Sequence, residues 1–198
     1  MPNSNWQTFV EKIDTTNSDI ILFLNPQFEN LPLPITRFDD PFFPFSKEII
    51  SATQDLVAGY MFDMASYLAM GGAGAVALER TIRYVPRDRI TILHGPFTGT
   101  GYSPMADVTG FGAQAITVTT PDDLMTYTEN IPHAAFMMTS QNTELPDVGG
   151  IFASNSNQLL YKNTNSETRT LRITDDAILY TSKLDNFAQV VREKVSQL

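Results

Sequence analysis

Short apolar runs recur along the first 140 residues, and segments of helical periodicity separate them. A strand that is buried on both faces reads as an unbroken apolar run, because neither face meets water. Strands that alternate with helices pair in parallel through right-handed crossovers. The pattern therefore predicts an α/β fold around a parallel sheet, with strands at 19–24, 58–63, 90–94, 115–119 and 134–139.

The segments between these runs indicate where the helices lie. Asn3 or Ser4 can cap a first helix, whose apolar side chains recur at helical spacing. The prolines between Asn25 and Phe45 predict a loop without regular structure, because proline fixes φ and has no N–H group to donate. Ser46 is the predicted cap of the next helix. Further helices are predicted over 64–70, 73–84 and 121–128, and from Asp185 onward.

The alternation stops near residue 150. Residues 158–163 and 168–173 each read as a strand, and the polar residues between them read as a turn. This pattern predicts a β-hairpin near 158–173 in place of further strand–helix units. We therefore predict about six parallel strands together with this hairpin.

The composition excludes several classes of function. Twenty-two acidic and 13 basic side chains give a net charge of −9, which disfavours nucleic acid and an anionic membrane as partners. The chain has no cysteine, so disulfides, thiolate zinc sites and iron–sulfur clusters are excluded. Two histidines leave little for a metal centre, and we expect no metal and no cofactor.

The length and the apolar content predict one domain over residues 1–198. Hydrophobic residues make up 42% of the 198, which is enough to bury a substantial core. The N-terminal stretch lacks the basic start and apolar run of a secretory signal, and no segment reads as a membrane span of about 20 apolar residues. We therefore expect a cytoplasmic protein that does not insert into membranes.

Several segments, in this order, resemble orotidine 5′-monophosphate decarboxylase, particularly the long-chain branch of that family. The resemblance implies a shortened (β/α), or TIM, barrel whose ligand site lies at the carboxyl ends of the strands. Trp6, Phe9 and Val10 would then close the base of the barrel. The matching segments are 24–26 (LNP), 45–60 (FSKEIISATQDLVAGY), 65–84 (ASYLAMGGAGAVALERTIRY), 90–93 (ITIL), 113–121 (AQAITVTTP), 136–140 (FMMTS) and 177–180 (AILY).

Three positions at which the family contacts the nucleotide differ in this chain. The resemblance places Asn25 where the family has an Asp that holds the nucleotide, and Met61 where it has a Lys. Asp176 stands where the family has an Arg that grips the 5′-phosphate. The phosphate grip would therefore be replaced by a side chain of opposite charge.

The catalytic array of the family differs as well. The resemblance implies an Asp-x-Lys-x-x-Asp motif on the third strand, in which a carboxylate destabilises the substrate carboxylate and the Lys protonates the carbanion. This chain has His94, Pro96 and Gly99 at the matching positions. Decarboxylation without a cofactor depends on such preorganised charges, so the changes predict that the activity is lost.

Polar residues that follow the predicted strands form the candidate ligand site. His94 and Asp63 could act as an acid–base pair. The alternative is a hydrogen-bonded histidine at a strand end, which we favour because no third group is seen to orient the pair. The candidate residues are Asn25, Asp63, His94, Thr119, Ser140 and Asn142.

Two other features allow a binding role or a structural role. Gly95, Gly99 and Gly101 could cradle a phosphate through backbone amides. A tight loop that fills the vacated site is favoured, because no Lys or Arg follows. Asp122 and Asp123 could bind a cation, but adjacent acids at a helix start more often interact with the helix dipole.

These observations predict a non-catalytic homologue that acts as an interaction or scaffold subunit. A small-molecule or pyrimidine-nucleotide sensor stays open as an alternative, as does a lyase-like enzyme with new chemistry around His94. An opened barrel exposes strand edges that must be paired or covered. We therefore expect a homo-oligomer, in the first place a dimer, or a protein partner, with the interface at the aromatic loop 38–45 or at the hairpin.

The remnant of the family's site is expected to be tightly filled, because losing a buried charged array removes its desolvation cost. His94 should be largely buried and bonded to a backbone carbonyl or to Asp63. Phe97 or Tyr102 should occupy the space that a nucleotide needs. We expect no phosphate to bind, since Asp176 and the net charge of −9 both repel anions.

Overall fold

The computed structural model describes residues 4–130, 133–141 and 143–198. Within them, eight strands pair in chain order and form a closed barrel. The apolar runs seen in the sequence supply its first five strands. The strands are β1 (Ile20–Leu24), β2 (Gly59–Asp63), β3 (Ile90–Phe97), β4 (Ala115–Val118), β5 (Ala134–Thr139), β6 (Gly150–Ala153), β7 (Gln158–Lys162) and β8 (Thr168–Ile173).

Helices connect the first five strands. Each connection returns the chain to the end of the barrel at which the previous strand began, so these strands run parallel. The described residues between β5 and β8 contain no helix. The α-helices are α1 (Ser4–Asp14), α2 (Phe42–Thr53), α3 (Met64–Leu68), α4 (Gly71–Tyr84), α5 (Ser103–Ala106), α6 (Pro121–Met125) and α7 (Phe187–Val195). Short 3-10 turns lie at Phe28–Asn30, Ile35–Arg37, Thr100–Tyr102 and Asp176–Tyr180, and a π-helical turn, Thr126–Asn130, follows α6.

The barrel closes through the last two strands. β7 runs antiparallel to both β6 and β8, so β8 recovers the direction of β1 and pairs with it in parallel. The expectation of an opened barrel with about six parallel strands was wrong, because the two reversals leave seven strands in one direction and one in the other. Each strand pairs on both sides, which removes the strand-edge argument for a dimer.

Alternate side chains of the strands enter two separate cores. One set, with Ile21, Ile92 and Phe136, fills the barrel interior. The other set, with Leu22 and Leu93, packs outward against the helices. Burial on both faces explains why the strands read as unbroken apolar runs in the sequence.

Helix α1 closes the base of the barrel, as the sequence predicts. The Trp6 and Phe9 rings both meet the Phe136 ring edge to face, at centroid distances of 5.6 and 5.8 Å. Val10 is buried in the same cluster. A Cβ built on Gly150, the β6 residue in register with Phe136, would lie 2.5 Å from that ring, so a glycine is required beside it. The base of the barrel is therefore packed with aromatic side chains.

The aromatic segment 38–45 differs from its prediction as a loop. Helix α2 begins at Phe42, four residues before Ser46, because Pro44 falls in its first turn, where a backbone N–H has no helical partner to lose. Phe42 and Phe45 are fully buried, and the Phe45 ring stacks on the Phe187 ring of α7. Of the four phenylalanines in this segment, at positions 38, 42, 43 and 45, only Phe38 is largely exposed. The segment therefore belongs to the helical layer around the barrel.

Candidate functional site at the barrel mouth

A cavity of about 330 Å³ opens at the carboxyl ends of the parallel strands. This is the end at which barrels of this architecture carry their ligand sites. The prediction of a tightly filled remnant site was therefore wrong. The lining residues are Phe23, Met61, His94, Met138, Phe152, Ser154, Asn157, Ile173, Thr174, Asp175 and Asp176.

His94 is held by a hydroxyl group from the neighbouring strand. Thr117 Oγ1 lies 3.1 Å from His94 Nδ1, accepts the Gly95 N–H at 3.0 Å and donates to the Gly95 carbonyl at 2.8 Å. Because a hydroxyl has one hydrogen and the Gly95 carbonyl takes it, Nδ1 must be the donor to Thr117. The Nδ1–H tautomer leaves Nε2 with a free lone pair, and Nε2 has no hydrogen-bond partner in the described part of the chain.

The expected partner of His94, Asp63, is engaged elsewhere. The two residues face each other in the β2–β3 register, but the Asp63 carboxylate caps α3 by accepting from the Ser66 amide at 3.0 Å and from the Ser66 hydroxyl. Burial lowers the pKa of the His94 imidazole below its ordinary value, and the charge of Asp63 partly opposes this shift. His94 is therefore neutral at pH 7 and is positioned by Thr117.

The lowered pKa of His94 predicts an acid-sensitive stability. The unfolded chain takes up a proton near the ordinary pKa of 6.5, whereas the folded chain takes it up only at lower pH. The free energy of unfolding should therefore fall as the pH drops below about 6.5, and the loss should level off below the folded-state pKa. The change to test is His94→Asn, whose amide can still donate to Thr117 but does not titrate. Chemical denaturation between pH 7.5 and 5 measures the difference between the two proteins.

His133 makes this comparison informative, because burial lowers its pKa too. Since His133 is present in both proteins, its contribution cancels in the difference. We expect the wild-type protein to lose more stability than His94→Asn over this range. Parallel curves would show that His94 titrates alike in the folded and unfolded chains.

Thr117 is expected to contribute strongly to stability. Its side chain is fully buried and joins β3 to β4 through three polar contacts. Thr117→Val keeps the shape and leaves the Gly95 amide and carbonyl without this partner, so we expect a loss of about 1–3 kcal/mol in the free energy of unfolding. Thr119→Val is the matched control directly after β4, since Thr119 is half-buried and its hydroxyl has no hydrogen-bond partner among the described residues. Equal effects of the two changes on urea denaturation would contradict this role.

Asn25 and Asp176 form a second polar pair beside the cavity. The Asn25 amide Nδ2 donates to Asp176 Oδ2 at 2.9 Å, and Gln27 Nε2 lies 3.4 Å from the same oxygen. Asn25 is 7% exposed, and its Oδ1 is buried without a hydrogen-bond donor among the described residues. The carboxylate partner fixes the amide orientation, because a flipped amide would place two acceptors together.

The glycine loop after β3 is occupied by protein contacts. The Gly99 amide donates to Asp123 Oδ1 at 2.5 Å, and the Gly99 carbonyl accepts from the Tyr127 hydroxyl at 2.9 Å. The Gly95 amide is bonded to Thr117. Two of the three glycine amides proposed for a phosphate cradle are thus engaged. Asp123 is buried and serves as the anchor of this loop.

The structure brings some of the predicted site residues together and separates others. Met61, His94 and Asp176 line the cavity, and Asn25 lies behind Asp176. Pro96 is exposed and Gly99 is tied to α6, so neither lines the cavity. Asp63 caps α3, Thr119 is half-buried at the end of β4, Ser140 is exposed, and Asn142 lies outside the described residues.

Phe97 and Tyr102 were expected to fill the space of a nucleotide. Phe97 is buried, and its ring lies 5.3 Å from the ring of the largely exposed Tyr102. A Cβ built on Gly95 would lie 2.7 Å from the Phe97 ring, so this ring packs closely against the strand. Neither aromatic side chain lines the cavity at the mouth.

Sequence reasoning missed the aromatic floor and part of the acidic rim of the cavity. The His94 ring meets the rings of Phe23 and Phe152 edge to face, at centroid distances of 5.8 and 5.5 Å. Phe23 precedes Asn25 by two positions, so the period of a strand could have placed both at the mouth. No local signal marks Phe152 or Asp175, because β6 and β8 lie outside the strand–helix alternation.

Comparisons with known proteins find similar sequences and similar folds. No family model matches the chain. An orotidine 5′-phosphate decarboxylase of Herpetosiphon aurantiacus is 28% identical over 164 residues, which are 79% of this chain and 61% of that protein. One of Flavobacterium johnsoniae is 35% identical over 79 residues, which are 40% of this chain and 29% of that protein. This chain is similar in sequence to orotidine 5′-phosphate decarboxylases.

Solved structures of the decarboxylases support the fold. OMP decarboxylase of Leishmania donovani matches with a TM-score of 0.53 and 19% identity over 73% of this chain and 56% of that one. UMP synthase of the same organism matches with a TM-score of 0.54 and 19% identity over 73% of this chain and 31% of that one. The chain spans less than two thirds of the length of the curated decarboxylases that it matches.

The described residues also bear on metal binding and on membrane spans. Among the described residues, no group of three or more His, Asp or Glu side chains is placed to hold a metal ion. No described helix has both the length and the apolar character needed to cross a membrane.

Proposed function

We propose that this chain is a non-catalytic homologue of orotidine 5′-phosphate decarboxylase that acts as an interaction or scaffold subunit. The observation that carries the proposal is the lining of the cavity, which includes neither a lysine nor an arginine. A decarboxylase of this kind needs a proton donor and a grip on the phosphate, and both are cationic in the family that the chain resembles. Asp176, which lines the mouth, is an acid, whereas both of these groups of the family are cationic.

A pyrimidine-nucleotide sensor is disfavoured by the same lining. Asp175 and Asp176 repel a phosphate, and the Gly95 and Gly99 amides are bonded within the protein. A thermal-shift panel with uridine 5′-monophosphate, orotidine 5′-monophosphate and inorganic phosphate tests this point. We expect no shift of the unfolding midpoint with any of them. A saturable rise with uridylate alone would favour the nucleotide sensor over the scaffold.

A general binding role is the second candidate, and the open cavity favours it. About 330 Å³ lies at the lower end of the range of small-molecule sites. The His94 Nε2 lone pair could also serve a reaction as a base. The Asp63 carboxylate is engaged by α3, so any such base would be oriented by Thr117 alone.

The proposal includes self-association, in the first place as a dimer. Leu33 and Leu184 are each 64% exposed and line one shallow groove, and Phe38 is 54% exposed next to Arg37 of that groove. Burying such side chains between two copies would remove apolar surface from water. This groove, rather than the hairpin edges, is the surface that supports the proposal.

We expect light scattering at tens of micromolar to report a dimer. The double change Leu33→Ser with Leu184→Ser should shift the protein to the monomer, because it removes the apolar groups of the groove. Val108→Ser is the control, since Val108 is 76% exposed outside the groove. A monodisperse wild-type monomer at this concentration would contradict the self-association proposal.

A further inference from the structure

We propose that the barrel mouth binds a small organic cation, with an aromatic or branched apolar body and a protonated amine or amidine group. This inference concerns the ligand class of the cavity and holds whether or not the chain serves as a scaffold. Such a ligand is positively charged, whereas a nucleotide is an anion. The floor, the rim and the charge of the cavity each support it.

The floor of the cavity is apolar and partly aromatic. The rings of Phe23 and Phe152 both meet the His94 ring edge to face, and Met61, Met138 and Ile173 complete the surface. Phe23 and Met138 are half-buried, so part of this surface meets solvent. An apolar ligand body would cover it, and aromatic faces also attract a cationic group.

The rim of the cavity is rich in hydrogen-bond acceptors. Asp175 and Asp176 supply carboxylates. The tautomer fixed by Thr117 leaves His94 Nε2 as an acceptor. Asp175 Oδ1 already accepts from the Ala177 amide and Asp176 Oδ2 from Asn25, so the second oxygen of each carboxylate and His94 Nε2 are the acceptors left for a ligand. A protonated amine supplies several donors on one atom.

The charge of the mouth selects the same ligand class. The lining contains two carboxylates and no lysine or arginine, and burial keeps His94 neutral at pH 7. Asp63 adds a third carboxylate close enough to His94 to affect its pKa. An anion would meet only like charges here, whereas a cation would be attracted to them. Hydroxyl and amide groups of Ser154, Asn157 and Thr174 are the neutral part of the lining.

Isothermal titration with three probes of similar size tests the proposal at pH 7. The probes are benzylamine, benzyl alcohol and benzoate, which share the ring and differ in charge. We expect benzylamine to bind at least about tenfold more tightly than benzyl alcohol, which corresponds to about 1.4 kcal/mol, and benzoate to bind most weakly. Equal affinities, tighter binding of benzoate, or no saturable binding of benzylamine up to 10 mM would each overturn the inference.

Matched variants assign the binding to the mouth. Asp176→Asn keeps the size and an acceptor for Asn25 while removing the charge, so it should weaken benzylamine about tenfold and leave benzyl alcohol unchanged. Glu48→Gln makes the same charge change at an exposed site on α2 and should alter neither. Phe152→Leu should weaken the amine and the alcohol alike. An unaffected benzylamine affinity in Asp176→Asn, with an unfolding midpoint like the wild type, would place the binding elsewhere and refute the proposal.

Discussion

Purified protein is expected to release no measurable carbon dioxide from orotidine 5′-monophosphate. The lining of the mouth includes no lysine to protonate a carbanion, and Asp176 lines the cavity at the position where the family resemblance predicts an arginine that grips the phosphate. Preorganised charges supply most of the rate enhancement in such sites, so their absence should reduce the rate to the uncatalysed background. The measurement is the loss of the substrate absorbance over hours, with an active orotidine 5′-phosphate decarboxylase as the positive control.

Restoring the family's side chains should not recover the activity. The combined change Asn25→Asp, His94→Asp, Pro96→Lys and Gly99→Asp replaces the array but leaves Asp176 in place. Two of these positions do not face the cavity, because Pro96 is exposed and Gly99 is bonded to Asp123. Gly99 also has a φ of +69°, which a side chain adopts only with strain. Catalytic groups that act together lose most of their effect when one of them is missing, so restoring the array without the phosphate-binding group should not restore the activity.

Turnover by the unmodified protein would refute the non-catalytic proposal outright. Turnover by the fourfold variant alone would show that the loop after β3 can rearrange to place a lysine in the cavity. The unfolding midpoint of the variant must be recorded, since a protein that fails to fold would lack activity for an unrelated reason. A folded and inactive variant is the expected result.

Phe136→Ala should cause a large loss in the free energy of unfolding. The ring is fully buried inside the barrel and contacts both Trp6 and Phe9 of the helix that closes the base. Removing such a side chain leaves a cavity that the rigid strands cannot fill. We expect a loss of about 3–5 kcal/mol. For a domain of this size that corresponds to a fall of roughly 6–20 °C in Tm. Differential scanning calorimetry measures the shift.

Phe28→Ala is the matched control for this truncation. Phe28 is 57% exposed on a 3-10 turn, so its removal leaves no internal cavity. We expect a change within about 0.5 kcal/mol, as for other surface substitutions. If the two truncations destabilise the protein equally, α1 does not close the barrel in solution in the way described.

Among the described residues, the sequence predicted seven of the eight strands, missed β6, and placed the strand ends less well. Each apolar run forms a strand, because a strand that is buried on both faces carries apolar side chains at consecutive positions. The end of β3 was missed, since it continues to Phe97 beyond the predicted His94 through an irregular register with β4. The start of α2 was missed because proline density was taken to exclude a helix, although proline is accepted in the first turn.

The polar contacts of the site could be predicted only in part. The period of the strands and the family resemblance brought Asn25, His94 and Asp176 to one end of the barrel. Their actual partners depend on side-chain directions across strands. His94 bonds to Thr117, 23 residues away, and Asn25 bonds to Asp176, 151 residues away. The expected pair of His94 with Asp63 failed because a nearer helix terminus offered Asp63 two donors.

By itself, the sequence determined the α/β class, the apolar core and the aromatic base. These follow from local periodicity and residue chemistry. Only the tertiary structure decided that the barrel closes, because closure depends on two reversals that return β8 to the direction of β1. It alone decided that the mouth stays open and presents acceptors, since hydrogen bonds between residues distant in the chain fix which atoms face the cavity and which are already satisfied.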